Sequence, residues 1–306
     1  MLGGSGFVGR HIVARLVAAG NRAVVPTRSR ERAKHLLLLP TVEVVEASVH
    51  DPVTLERIVA GSGAVINLVG IINETRRGDF QRVHVELARK TVASCRAAGV
   101  RRLLHMSALN ADPAGPSRYL ATKGEAEAAV AASNLDWTIF RPSIIFGRED
   151  SFLNLFARLE RLLPLMALAS WQARFQPIWV GDVAEAFVRA IADDRTWGQR
   201  YALCGPRVYT LHELVAYVGE LTGDNRPIIP LGPALSRLQA RTLELLPGKL
   251  MTRDNLASMT RDSVCGGEYP ALLGGPPSAL EAIAPSYLAP AATRSRYSKL
   301  RGQGGR

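Results

Sequence analysis

The chain has 306 residues, 47% of them hydrophobic and 21% charged. That is enough apolar material to bury a sizeable core, and it excludes a disordered polymer. The net charge of +11 rests on 33 Arg and 5 Lys against 27 acids. An Arg excess follows from codon composition as readily as from a nucleic-acid partner, and no reading helix or base-stacking motif accompanies it.

Three cysteines, Cys95, Cys204 and Cys265, form no CxxC pair and no His/Cys cluster with metal-ligand spacing. A disulfide scaffold and a bound metal are not expected, and a reducing compartment is. The longest weakly charged apolar stretch, Leu162 to Trp171, is about half of a membrane span. No signal peptide is expected, because the chain runs straight into a glycine-rich turn.

From the first residue to about residue 205, helical and strand patterns alternate. Val8, Ile12 and Leu16 share a helix face, with Gly20 as its C-terminal cap. Ala23–Val25 reads as a strand, Arg30–Leu38 as a helix, Val42–Val45 as a strand, Pro52–Ala60 as a helix and Ala64–Val69 as a strand. Phe80, Val83, Leu87, Thr91 and Cys95 stripe a long helix ending at Gly99. Strand Leu103–Met106, helix Ser117–Ala132 and strand Trp137–Phe140 follow, then helix Phe152–Leu163, strand Pro177–Val180 and helix Asp182–Ala192. Asp182 and Glu185 read as an N-terminal capping box. Short strands alternating with longer helices predict an α/β fold, a doubly wound parallel Rossmann sheet. The Pro- and Gly-rich remainder, with amphipathic stretches at Leu235–Leu246 and Met251–Met259, predicts a smaller C-terminal subdomain for substrate or partner. The expected division is 1–150 with 176–205, then 151–175 with 206–290, then a basic, disordered tail at 291–306.

The opening turn carries glycines at positions 3, 6 and 9, just ahead of a helix. Gly3 permits a tight turn, Gly6 lets a diphosphate approach the backbone, and Gly9 lets the helix lie close on the sheet. The helix N-terminus offers free N–H groups and a partial positive charge to phosphate. Gly3, Ser5, Gly6, Phe7, Val8 and Gly9 are therefore the expected dinucleotide contacts. Only Met1 and Leu2 precede them, where a central strand runs to about five residues. The first strand is thus expected to be truncated, from a misassigned start or a fragment, with weaker cofactor binding and stability than an upstream-extended chain.

About 20 residues past the glycines, an acid would bond a ribose 2′-hydroxyl. Here the chain reads Val25-Pro26-Thr27-Arg28-Ser29-Arg30, with no acid before Glu31. A guanidinium forks onto phosphate better than onto a hydroxyl. Arg28, supported by Ser29 or Arg30, therefore favours NADP(H) over NAD(H).

Tyr119 and Lys123 stand at i and i+4 of a predicted helix, and Ser107 ends a strand twelve residues earlier. A nearby ammonium favours tyrosinate, bringing the phenol toward the working pH for acid or base chemistry at a carbonyl. Behind a glycine-rich nucleotide turn, this Ser/Tyr/Lys set resembles the short-chain dehydrogenase/reductase superfamily, including its epimerase/dehydratase-like members. Ser117-Arg118-Tyr119-Leu120 with Lys123 and Glu125, Arg141-Pro142-Ser143, Phe146 to Asp150 with Phe152-Leu153-Asn154, Gln176-Pro177, Val180 with Asp182-Val183, and Thr252-Arg253-Asp254 narrow it. Together they resemble the atypical short-chain reductases related to the NAD(P)-binding accessory subunit of respiratory complex I and to relatives linked to ubiquinone biosynthesis.

The resemblance implies a tightly held NADPH and a role in complex assembly or stability. It places Gly3, Gly6, Gly9 and Arg28 on the diphosphate and 2′-phosphate, Val69 and Gly70 along the ribose, and Pro142 near the nicotinamide. Tyr119 and Lys123 would hold the nicotinamide ribose. His84 stands where extended members carry an Asn that organises a proton relay, a departure that counts against turnover. His105, alternating with core residues on its strand, reads as a satisfied core histidine, and Cys95 as a small buried hydrophobe.

The leading reading is an NADP(H)-holding accessory protein of a respiratory or quinone-biosynthesis complex. It would be cytoplasmic or peripheral on the inner face of the membrane, with the basic tail touching lipid or protein. The alternative is an active NADPH-dependent reductase or epimerase on a hydrophobic or quinone-related carbonyl compound, working through Ser107, Tyr119 and Lys123. A nucleotide-sensing regulator that binds other proteins ranks last, since such proteins share the fold but usually lack the Tyr/Lys pair.

Overall fold

A computed structural model of the chain describes residues 1–246 and 248–289. Helix α1 (Phe7–Ala18) buries Val8, Ile12, Val13 and Leu16, and Gly20 beyond its end takes φ +79°, the left-handed stop that glycine supplies. Strands β1 (Ala23–Thr27) and β2 (Val42–Glu46) follow, then helix α2 (Pro52–Val59). Asp51 starts α2 by accepting a hydrogen bond from Thr54 N at 3.0 Å, with Pro52 in the first turn. The stretch expected as helix Arg30–Leu38 is instead a 3₁₀ turn over Arg30–Leu36, burying only Ala33 and Leu36.

Next come β3 (Ala64–Asn67), α3 (Leu87–Ala97), β4 (Arg102–Met106), α4 (Arg118–Ala131) and β5 (Asp136–Pro142). The long helix expected from Phe80 opens as a π-helical turn, Gln81–Glu86, before it becomes α3. Such turns carry wider hydrogen-bond rings and recur at functional sites.

The parallel ladder runs β3–β4–β5, and the parallel strand β10 (Gln199–Leu203) joins beyond β5. On the other side, β1 and β2 form a separate parallel pair. Between the two groups lie Met1 and Leu2. Leu2 N donates to Ile66 O at 2.8 Å, Leu68 N donates to Leu2 O at 3.0 Å, and the Met1 amine donates to Val24 O at 2.6 Å. One apolar cluster joins α1 to helix α6 (Val180–Ala192) on one face, around Ile12, Leu104, Phe140 and Phe187. The other face packs Leu55, Leu87, Cys95, Val130 and Ile139 under α2, α3 and α4. The molecule is a doubly wound parallel α/β sheet of Rossmann type.

Beyond β5 lie the short strands β6 (Ile145–Phe146), β7 (Met166–Leu168), β8 (Arg174–Phe175) and β9 (Ile178–Trp179), with helix α5 (Leu153–Leu162) among them. After β10 come β11 (Tyr209–Thr210), α7 (Leu211–Thr222), β12 (Ile228–Pro230), α8 (Pro233–Leu245) and α9 (Arg253–Ser258). They enclose a further apolar cluster around Phe146, Leu153, Phe175, Leu214, Val218 and Leu288. Helix α7 was not anticipated, although Thr210 and Glu213 form a reciprocal capping box and Gly223 closes it at φ +76°.

Two expectations are corrected. Asp182 does not cap α6. The N-cap position is Trp179, and the Asp182 carboxylate instead accepts from Ser278 N at 2.7 Å and Ser278 Oγ at 3.2 Å. Cys204 and Cys265 are joined as a disulfide across 61 residues of sequence, with Cα atoms 6.1 Å apart. The chain returns after α9 to the ends of β5 and β10, a juxtaposition that spacing alone does not reveal. Cys95 is buried and free, as expected. The tail, with Arg294, Arg296, Lys299, Arg301 and Arg306, lies outside the described residues. Among the described residues, no helix is long and apolar enough to cross a membrane.

Candidate functional site

The C-terminal ends of β1, β3, β4 and β5 meet the glycine turn on one side and α4 on the other. In doubly wound sheets this is where ligands bind. Gly3 takes φ +77°, and a Cβ there would press on the Leu68 and Val69 backbone at 3.2 Å. A Cβ on Gly9 would run into Gly3 O and, at 2.6 Å, Gly4 Cα. Gly9 therefore makes room for the turn itself, not for the sheet as expected. No side chain caps α1 and its first turn holds no acid, so its leading N–H groups face no competing carboxylate.

Arg28 is exposed at the end of β1, where Thr27 Oγ1 donates to Ser29 O at 3.0 Å and holds the loop. His50, after β2, is pushed below the ordinary histidine range by burial and then by Arg82, Lys90 and Arg28. Lys90 Nζ also donates to His50 O at 2.9 Å, and His50 Nδ1 is buried without a partner among the described residues. Cations from three segments, Arg28 after β1, Arg82 in the π-helical turn and Lys90 on α3, therefore gather around His50. Only Arg28 of these was singled out in the sequence.

On α4, Lys123 is buried and Nζ donates to Met106 O at 3.2 Å. Burial pushes its ammonium down to about 8. A Cβ added to Gly70 would lie 3.0 Å from Lys123 Nζ and 3.7 Å from His84 Nε2, so these three groups meet. Val69 beside them is pinned by donating from N to Asn67 Oδ1 at 3.2 Å. The Tyr119 ring lies edge-on to His84 at 5.7 Å and to Phe80 at 6.0 Å. Burial pushes the phenol up to about 12, against the expectation that Lys123 would bring it toward neutral pH.

His84 has a defined tautomer. Its Nε2 accepts from Ile71 N at 3.2 Å, so Nδ1 carries the hydrogen toward Thr122 Oγ1 at 2.9 Å. Thr122 Oγ1 passes its own hydrogen to Arg118 O at 2.8 Å. Burial, then Lys123, hold the imidazole down to about 2, so it stays neutral. Its one ring hydrogen is directed to the Thr122 hydroxyl.

Ser107 is buried where β4 ends, its N donating to Phe140 O at 2.7 Å, and its Oγ has no partner among the described residues. Pro142, buried at the end of β5, accepts from Leu109 N at 3.0 Å, tying its strand to the segment that carries Ser107. His105 is satisfied at one nitrogen only. Nδ1 meets Asn67 Nδ2 at 3.3 Å, and Nε2 is buried and unpaired, which corrects the reading of a satisfied core histidine. Two acids on which the site leans, Glu74 and Asp254, were given no role by the sequence. Both act on α4 from far away in the chain. Among the described residues, no group of three or more His, Cys, Asp or Glu could hold a metal ion.

Residues 3–154 match the NAD(P)H-binding family, so the chain carries an NAD(P)H-binding domain. NADH dehydrogenase (ubiquinone) 1 alpha subcomplex subunit 9, mitochondrial, of Mus musculus is 36% identical over 236 residues, 75% of this chain and 62% of that one. The Rattus norvegicus protein is 32% identical over 290 residues, 92% and 77%. The chain thus spans about three fifths of the mouse relative. A ceramide reductase of Caulobacter vibrioides is 34% identical over 187 residues, 61% and 58%. Among solved structures, the NADPH-dependent quinone oxidoreductase QOR2 of Escherichia coli with NADPH superposes at TM-score 0.72 with 21% identity, covering 94% of this chain and 98% of that one. It shares the fold.

Proposed function

The chain belongs to the family of the mitochondrial NADH dehydrogenase (ubiquinone) 1 alpha subcomplex subunit 9, and from that premise we propose that it holds NADP(H) as an accessory or assembly protein of a respiratory or ubiquinone-linked complex. The residues fit the group. The glycine turn and the uncapped start of α1 would take the diphosphate, with Ser5, Phe7 and Val8 lining it. Arg28, Ser29, Arg82 and His50 would take the 2′-phosphate. Val69, Gly70, Pro142, Tyr119 and Lys123 would take the nicotinamide half. When bound, NADPH supplies a hydride. Any membrane contact of the protein would be peripheral, through its partner or the tail.

The observation that carries the holding role is the state of the acid–base set. Lys123 Nζ is engaged at the Met106 carbonyl, the His84 ring is held between Ile71 N and Thr122 Oγ1, and burial keeps the Tyr119 phenol protonated. Lys123 and His84 are thus taken up in fixed hydrogen bonds, an arrangement that suits holding a cofactor. Two observations favour the second reading, an NADPH-dependent reductase: Ser107, next in the chain to the Met106 whose carbonyl Lys123 holds, keeps a buried Oγ without a partner among the described residues, and a ceramide reductase is among the relatives.

Purified protein decides between them. Bound NADPH that is neither oxidised nor exchanged when quinones and carbonyl compounds are supplied supports the holding role, and steady turnover abolished by Tyr119→Phe supports the reductase. Arg28→Ala should weaken NADPH by about 10- to 100-fold, one lost charge-assisted contact, and NADH far less. Equal losses would remove the phosphate assignment.

A further inference from the structure

The Thr252-Arg253-Asp254 motif lies more than 130 residues from Tyr119 in sequence, yet it ends on the same helix. Thr252 caps α9 by accepting from Asn255 N at 3.1 Å, while Asn255 Oδ1 accepts from Thr252 N at 2.9 Å. That box turns Asp254 toward α4, where Oδ1 accepts from Arg118 N at 2.7 Å and Oδ2 accepts from Tyr119 N at 3.1 Å. Ser117 already caps α4 locally, accepting from Leu120 N at 3.1 Å, and its Oγ takes a further bond from Ser258 Oγ at 2.7 Å. Two of the orphan N–H groups of the first turn are thus held by a carboxylate from a distant strap, which also opposes the positive end of the helix.

The same strap grips the segment that leads to His84. Lys249 Nζ donates to Glu74 O at 2.5 Å, and Asn73 Nδ2 donates to Lys249 O at 2.9 Å. Glu74 binds the Arg118 guanidinium at 2.6 and 3.1 Å and accepts from Gly78 N and Phe80 N at 3.1 and 2.9 Å, where the π-helical turn begins. The segments bearing His84 and Tyr119 are therefore fixed to one another through residues 249–258.

We infer that Asp254 is a positioning residue for the nicotinamide half of the site, acting through Tyr119. Tyr119 is the second residue of α4, so fraying of the first turn would displace it before Lys123, which lies a full turn deeper. The inference rests on the cofactor reading above and extends it to a residue that touches no cofactor.

The experiment is titration of the full chain with NADPH and with 2′,5′-ADP, which carries only the adenosine end. Asp254→Ala should weaken NADPH roughly tenfold and leave 2′,5′-ADP within about twofold. Asp254→Asn, which keeps the size and one acceptor, should fall between. Unchanged NADPH affinity in the folded variants, or an equal loss for both ligands, overturns the inference. Should the Ala variant fail to fold, the Asn variant decides by the same ratio. A wild-type chain that binds neither ligand counts against the cofactor reading itself and takes this inference with it, an outcome distinct from the other two.

Discussion

Glu160 on α5 is 1% exposed, and its Oε2 has no hydrogen-bond partner among the described residues. A Cβ on Gly219 of α7 would stand 2.5 Å from that oxygen, so the glycine inside α7 is what admits the carboxyl group. Burial, then the Asp224 carboxylate, push Glu160 up to about 7 from an ordinary 4.5. The folded value lies above the unfolded one, so folding favours the protonated acid. The penalty is absent below about 4.5, grows as pH rises, and is complete above about 7. Glu160→Gln keeps the shape without the charge. It should raise stability by on the order of 2 kcal/mol at pH 8 and leave it nearly unchanged at pH 4.5. Urea unfolding at both pH values checks this, and a gain of equal size at both would refute the charge argument.

At the scale of elements, the joints are made by residues far apart in sequence. β4 opens on Arg102, buried within the sheet, and its guanidinium closes the last turn of α6. It donates to Ala190 O, to Ile191 O at 3.1 Å, to Asp136 O at 2.6 Å and to the hydroxyls of Thr138 and Thr196 at 2.8 and 2.9 Å. Met at position 102 would fill the space and leave those carbonyls unpaired. We expect Arg102→Met to cost about 3 kcal/mol in chemical denaturation, with Lys in its place recovering part. A loss below about 1 kcal/mol would mean that water serves the carbonyls as well. Apolar periodicity places β4 but begins it at Leu103, because a cation breaks the run. It likewise finds α4 and Tyr119 with Lys123, since i, i+4 spacing is local. The same periodicity misses the π-helical turn, whose apolar stripe looks like that of any helix until its hydrogen bonds are known. It also gives Asp254 and Glu74 no role, because a cap supplied from another part of the chain leaves no local pattern. Helix α7 is different: Thr210, Glu213 and Gly223 state its two ends in the sequence, within a stretch dominated by its prolines and glycines.

Across the whole molecule, the returning chain after α9 is laid over the ends of β4, β5 and β8. Asn110 Nδ2 donates to Asp262 O at 2.8 Å, Ser143 Oγ to Ser263 O at 2.8 Å, and Gln176 N to Ser263 O at 3.0 Å. The Cys204–Cys265 disulfide then fastens this crossing to the end of β10. A link closing a loop of 61 residues restricts the unfolded chain by about 4 kcal/mol in the loop-entropy account. For a chain of this size that amounts to roughly 6 °C in Tm. Reduction by a dithiol, or Cys265→Ser, should therefore lower Tm by several degrees. Because the crossing bonds Asn110 and Ser143, which follow Ser107 and Pro142 in the chain, its loss should also weaken NADPH more than 2′,5′-ADP. Cys95 supplies the internal control. Its thiol is buried and free, so the unfolded oxidised chain should show one reactive thiol and the reduced chain three. Equal Tm values with and without reductant, when thiol counts confirm that reduction occurred, would show that hydrogen bonds alone hold the crossing and that the link adds nothing to it.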